Sequence, residues 1–250
     1  MATIRPSTIA RAWRVGAAML IGLAAAIPGL LPAVRAQAPV DLALVLAIDG
    51  SSSIDDREFT LQMRGYAAAF RDPQVIEAIR TGPNRRIAVT LVQWSNLHDQ
   101  SQVIDWTVLD SLEATERFAA GIVAAPRAVP AGSTSISGAI EYAMTLFRDP
   151  RAAANRRVID ISGDGLNNMG RPPKAARDKA VAAGIVVNGL AILTEVPALD
   201  IYYEDNVIGG PGSFAIAVPD FDAFAEAILK KLLREIVELP IDRSLASTAP

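Results

Sequence analysis

The residues best suited to chemistry are Asp49-Gly50-Ser51-Ser52-Ser53, at the end of the apolar run Leu42 to Ile48. An aspartate closing a buried strand, with hydroxyls two and four residues on, brings three hard oxygen donors into one tight turn, which is ligand chemistry for a small divalent cation. Two further segments offer the same atoms: Gly132-Ser133-Thr134-Ser135 and Ser162-Gly163-Asp164-Gly165. All candidate ligand atoms are carboxylate or hydroxyl oxygens. Such a set suits Mg²⁺ or Mn²⁺ in six-fold coordination and serves a soft metal poorly. Cys is absent and His98 is the only histidine, which argues against zinc. Each segment alone has an ordinary account as a turn or a helix N-cap. Only their combination points to metal.

The elements that must position these groups read as alternating strands and helices. Asp41 to Ile48 is a continuous aliphatic run and so a strand buried on both faces. Asp55 and Asp56 open a helix in which Phe59, Met63, Tyr66, Ala67 and Phe70 share one face, and a short helical piece follows Asp72-Pro73 to Ile79. Ile87 to Trp94 is a second strand. Gln102 to Trp106 alternates like a half-exposed edge strand, and the short link Ser95 to Ser101 makes the two an antiparallel hairpin.

Leu112 to Val123 is helical. A loop from Pro126 to Ser135 precedes another helix with Ile136, Ile140, Ala143 and Phe147 in one stripe. Arg157 to Ser162 is a strand, Pro172-Pro173 starts a helix that Gly184 closes, and Ile185 to Leu193 and Ser213 to Val218 are the last strands. Phe221, Phe224, Ala225, Ile228 and Leu232 mark the final helix, from about Asp220 to Ile236. The pattern predicts an α/β fold: a doubly wound, mostly parallel sheet with one antiparallel edge strand and helices on both faces. In such sheets ligands sit beyond the carboxyl ends of the strands, where strand order reverses. Asp49 and Asp164 both stand at such ends and so can meet.

The order D-x-S-x-S, a distant threonine and a later aspartate resembles the metal-ion-dependent adhesion site of the von Willebrand factor A-type (VWA) domain. Asp49, Ser51, Ser53, Thr134 and Asp164 match its five positions, and the resemblance covers the order of elements from Asp41 to about Ile236. It is nearest to exported bacterial domains of this type without a settled role. The resemblance implies that Ser51, Ser53 and, in one state, Thr134 bind the metal directly, while Asp49 and Asp164 act largely through bound water. One coordination position is then left for a carboxylate from a protein partner. The implied cofactor is Mg²⁺, with Mn²⁺ or Ca²⁺ as substitutes.

A rival reading is a haloacid-dehalogenase-like phosphatase, whose late Gly-Asp-Gly motif Gly163-Asp164-Gly165 is similar to. That family needs an acid two residues after the nucleophile, where Ser51 stands, and a further acid where Asn168 stands, so proton transfer to the leaving group loses its usual agent. A Ser-His-Asp hydrolase would depend on His98, in a polar turn, without a G-x-S-x-G elbow. Gly209-Gly210-Pro211-Gly212 lacks a P-loop lysine and reads as a flexible connector. Arg151, Arg156 and Arg157 read as a solvated end between helix and strand. Trp94 and Trp106 read as packing residues. Tyr202, Tyr203, Glu204 and Asp205 fall in the long connection after the Ile185 to Leu193 strand; they read either as a solvated acidic loop or as residues shaping partner choice.

Composition bounds the rest. The 250 residues are 51% hydrophobic with a net charge of −3 and a pI near 5.3, which leaves no electrostatic footprint for nucleic acid. Arg5, Arg11 and Arg14, the apolar Val15 to Leu31 and the Ala36-Gln37-Ala38 site have the layout of a secretory signal peptide. The expected organisation is therefore a leader at 1–38, a VWA domain at 39–237 and a solvated tail at 238–250. The chain is expected to be periplasmic or secreted, a binding module for adhesion or assembly and not an enzyme, with a periplasmic accessory subunit as the alternative role.

Overall fold

The computed structural model describes residues 38–237. The expected leader, apart from Ala38, and the expected tail lie outside the described residues.

Ten residues of almost unbroken Val, Leu, Ala and Ile form β1 (Val40–Asp49) at the centre of a six-stranded sheet. Its alternation decides which layer each side chain joins. Leu42, Leu44, Leu46 and Ile48 enter one core, whereas Ala43, Val45 and Ala47 enter the other. Parallel neighbours β2 (Ile87–Trp94) and β4 (Ala154–Gly163) flank it, followed on the β4 side by β5 (Val186–Ile192) and β6 (Ala215–Val218). The antiparallel edge strand β3 (Gln100–Leu109) pairs with β2 through the expected hairpin, giving the order β3-β2-β1-β4-β5-β6. Strand order reverses at β1, so the crevice between the ends of β1 and β4 is the switch point.

One face of the sheet is covered by α1 (Asp56–Arg71), α2 (Pro73–Thr81), α3 (Leu112–Ala124) and α7 (Phe224–Val237). The other is covered by α4 (Ile136–Leu146), α5 (Pro173–Ala182) and α6 (Leu199–Asn206). Local chemistry sets the helix starts. Asp55 and Glu58 form a reciprocal capping box on α1, Asp72 caps α2, Ser111 caps α3 and Ser135 caps α4. Gly184, at φ 71°, ends α5 where a side chain would be strained.

Four sequence expectations change. The connection after β5 is not simply a loop, because it contains α6. The final helix starts at Phe224, with Phe221 buried in the turn before it. The glycine connector is pinned, since Gly209 and Val187 exchange backbone hydrogen bonds of 2.8 and 3.0 Å. The arginine group is engaged: Arg151 bridges Asp105 and Asp149, Arg156 donates to the Glu235 carbonyl at 2.6 Å, and Arg157 donates to the Ala183 carbonyl at 2.5 Å.

Candidate metal centre

β1 delivers Asp49 to the sheet edge, and the next turn folds back on it. The Ser51 amide donates to Asp49 Oδ1 at 2.7 Å. The Ser51 and Ser53 hydroxyl oxygens lie 3.2 Å apart, and the Ser53 hydroxyl donates to Asp164 Oδ1 at 2.6 Å. β1 and β4 run parallel with Ile48 opposite Ser162, so Asp164 leaves the sheet beside Asp49. Thr134 comes from the loop before α4, which is stitched to three neighbours. Its amide donates to Asn168 Oδ1 at 2.8 Å, the Ser135 amide donates to the Ser95 carbonyl at 2.9 Å, and the Ser52 amide donates to the Gly132 carbonyl at 2.9 Å. A methyl added to Gly165 would sit 3.4 Å from the Thr134 hydroxyl, which places Thr134 against the Asp164 turn. The five residues read from the sequence are thus brought to one end of the sheet.

Their electrostatics are those of an unbalanced site. Asp49, Ser51, Thr134 and Asp164 are buried, and neither Asp49 Oδ2 nor Asp164 Oδ2 has a hydrogen-bond partner. Burial, then the charge of Asp164, pushes the Asp49 carboxyl up to about 7 against the lowering effect of the Ser51 amide. Asp164 is raised as well, chiefly by burial, with Glu195 and Glu58 adding negative charge nearby. Two adjacent carboxylates with free buried oxygens, set beside hydroxyls, form an all-oxygen donor set of the kind that hard dications favour. Among the described residues, no three His, Cys, Asp or Glu side chains group as metal ligands, here or elsewhere, so any ion at this site would rest on hydroxyls as well as the two carboxylates.

Two residues at the site were not singled out by spacing. Arg127 inserts beneath the Asp49 turn, where its Nη2 donates to the carbonyls of Gly50, Ser51 and Ile54 at 3.0, 3.0 and 2.8 Å. Its guanidinium also stacks 5.3 Å from the Phe59 ring centre. Tyr203, on α6, is fully buried with its hydroxyl beside Asp49. Of its neighbours, Glu204 and Asp205 are exposed, and the Tyr202 hydroxyl accepts from the Asn167 amide at 3.4 Å.

Asn168, weighed against a phosphatase, and its neighbour Asn167 both have structural work. Asn168 holds Thr134, and Asn167 Oδ1 accepts from the Ser137 amide at 3.2 Å in the first turn of α4. His98 is exposed in the β2–β3 turn.

The sheet order and the placement of the D-x-S-x-S turn at its switch point are those of a von Willebrand factor A-type domain. The chain belongs to the family described as "Protein of unknown function (DUF1194)", whose model matches residues 39–240. Among solved structures, proximal thread matrix protein 1 from the mussel byssus is similar with a TM-score of 0.61 at 15% identity, over 80% of this chain and 48% of that one. A second structure of the mussel protein, with a zinc-occupied MIDAS motif, gives 0.56 at 15% over 80% and 49%. The vWF domain of the type V pili tip protein Mfa5 from Porphyromonas gingivalis gives 0.54 at 11% over 86% and 98%. The chain spans about half the length of the mussel protein. At these identities the likeness is one of fold. A search of curated proteins returns no match.

Proposed function

We propose that this protein is an exported binding module that engages an acidic group of a protein partner through a divalent cation held at the end of β1 and β4. The observation that carries the reading is the pair of buried carboxylate oxygens without partners, Asp49 Oδ2 and Asp164 Oδ2, set among the Ser51, Ser53 and Thr134 hydroxyls. Left alone, such atoms bear the full desolvation cost of a buried acceptor, and a dication removes it. In this reading Ser51, Ser53 and Thr134 hold the ion, while Asp49 and Asp164 orient its waters and balance its charge. When bound, the cation supplies a Lewis-acidic position open to an outside carboxylate.

The rim gives the partner a further character. Leu166 and Met169, just past Asp164, are 43% and 37% exposed and offer apolar contact beside the ion. The known functions of the fold's relatives support the same class: Mfa5 is a pilus tip protein and the mussel protein a thread matrix protein. Export rests on the leader read from the sequence. Among the described residues no helix is long and apolar enough to cross a membrane.

The test is thermal unfolding of the wild type and of Asp49→Ala with Mg²⁺, Mn²⁺, Ca²⁺, Zn²⁺ or chelator. Zinc is included because the mussel MIDAS holds it, although the absence of Cys and the single His speak against a zinc site here. An ion at a hundred times its dissociation constant adds about 2.7 kcal/mol to the wild type and nothing to the variant. A wild type indifferent to all four ions would remove the basis for the proposal.

A further inference from the structure

Tyr203 makes a case of its own. Its ring lies in a slot that two glycines leave open: a methyl on Gly189 of β5 would come within 2.5 Å of Tyr203 Cδ1, and one on Gly163 of β4 would meet the hydroxyl at 3.1 Å. The same methyl on Gly163 would lie 2.7 Å from Asp49 Oδ2, so phenol and carboxylate border one point. Both oxygens are fully buried, and neither has a hydrogen-bond partner. The other Asp49 oxygen is already taken by the Ser51 amide.

A phenylalanine would fill this slot without burying a hydroxyl, and a buried hydroxyl is kept at a cost unless it finds an acceptor. The acceptor beside it is the free oxygen of the residue that closes β1. We propose that Tyr203 is a positioning residue of the cation site: its phenol O–H donates to Asp49 Oδ2 through one bridging water and holds that carboxylate in the orientation the ion requires. This rests on the metal-binding reading above. It assigns α6, outside the D-x-S-x-S pattern, a part in setting affinity, much as groups behind metal ligands do elsewhere.

The test uses the full chain with Mn²⁺ alone. Binding is followed by the electron-spin-resonance signal of free Mn²⁺ in wild type, Tyr203→Phe and Tyr142→Phe, the last a control on α4. Metal-free unfolding of each is measured in chelator. The expected result is an unchanged metal-free transition for Tyr203→Phe with Mn²⁺ affinity lower by about tenfold or more, and wild-type affinity for Tyr142→Phe. A second readout is the near-ultraviolet tyrosine difference signal on adding Mn²⁺, present in wild type and Tyr142→Phe and absent in Tyr203→Phe. Equal affinity in wild type and Tyr203→Phe overturns the role of Tyr203 and leaves the metal site standing. A wild type that takes up no Mn²⁺ overturns both. Should Tyr203→Phe fail to fold, a wild type without the tyrosine signal overturns the role.

Discussion

The Ser53 hydroxyl donates to Asp164 Oδ1 at 2.6 Å, joining the turn after β1 to the turn after β4 across 111 positions of sequence. That bond consumes one Asp164 oxygen and leaves the other free, so Ser53 orients the acid, and in the proposed reading it is also a ligand. Replacing Ser53 by Ala is expected to lower Mg²⁺ or Mn²⁺ affinity while leaving the fold intact. Ser51→Ala with Ser53→Ala should abolish the metal-dependent gain in melting temperature. Isothermal titration beside thermal unfolding checks both, and full binding by the double variant would contradict the assignment.

Arg127 is expected to matter for stability with or without metal. Its single guanidinium satisfies three carbonyls of the Asp49 turn. Truncation to Ala strands the Gly50 and Ile54 carbonyls, leaves the Ser51 carbonyl with the Ile54 amide alone and removes the stacking on Phe59, at a cost of roughly 2–4 kcal/mol by the usual penalty for unsatisfied buried groups. Lys, a point charge without the planar fork, should recover only part. Urea unfolding in chelator measures both variants, and a change below about 0.5 kcal/mol for Arg127→Ala would count against the clamp.

Lys231 of α7 is fully buried between Asp160 of β4 at 2.6 Å and Glu235 at 2.5 Å, while Asn188 of β5 donates to Glu235 at 2.9 Å. Lys231→Met leaves two buried acids without a cation and is expected to cost about 3–5 kcal/mol. Adding Asp160→Asn and Glu235→Gln to it should restore much of the loss. Denaturant titration of the single and triple variants tests this.

The metal-free protein should lose stability as pH rises from about 4 to about 7. Asp49 titrates near 7 in the folded state and near its ordinary 3.8 when unfolded, so in that window the folded chain holds a proton that the unfolded chain has released. The penalty is absent below the unfolded value and complete above the folded one, at most roughly 4 kcal/mol from a shift of this size. Asp160, raised to about 7 by burial, slopes the same way, so Asp49→Asn is the necessary comparison: its slope should be shallower by the Asp49 share. Melting temperatures across pH 4 to 8 in chelator decide it.

The sheet was legible because β1, β2, β4 and β5 are aliphatic runs that end in turn residues, and β2 was read to the residue. That these hydroxyls and carboxylates meet at one end of the sheet was legible because the spacing is local at Asp49 and Asp164 also sits at a strand end, whereas Thr134 arrives from the loop before α4. Arg127 was not, since a lone arginine in a loop carries no periodicity and its partners are backbone carbonyls. Tyr203 was noticed only as part of a loop that could shape partner choice: three of the eight α6 residues are acidic and the helix has no side-chain N-cap, so Leu199 and Tyr203, one helical turn apart, did not stand out as a buried face. Lys231 and Glu235 were passed over because two charges on the inner stripe of a helix contradict the pattern that identified the helix. Asn168 was read for the acid it is not, whereas its amide oxygen accepts from the Thr134 backbone.

The Arg127 clamp also bears on kinetics. With three carbonyls of the Asp49 turn already gathered by one guanidinium, the proposed site has little backbone left to order on taking up an ion. On that reading uptake is expected to run at the pace of cation dehydration, not of loop ordering, and Mn²⁺, which exchanges its waters faster, should load sooner than Mg²⁺ into an otherwise identical cradle.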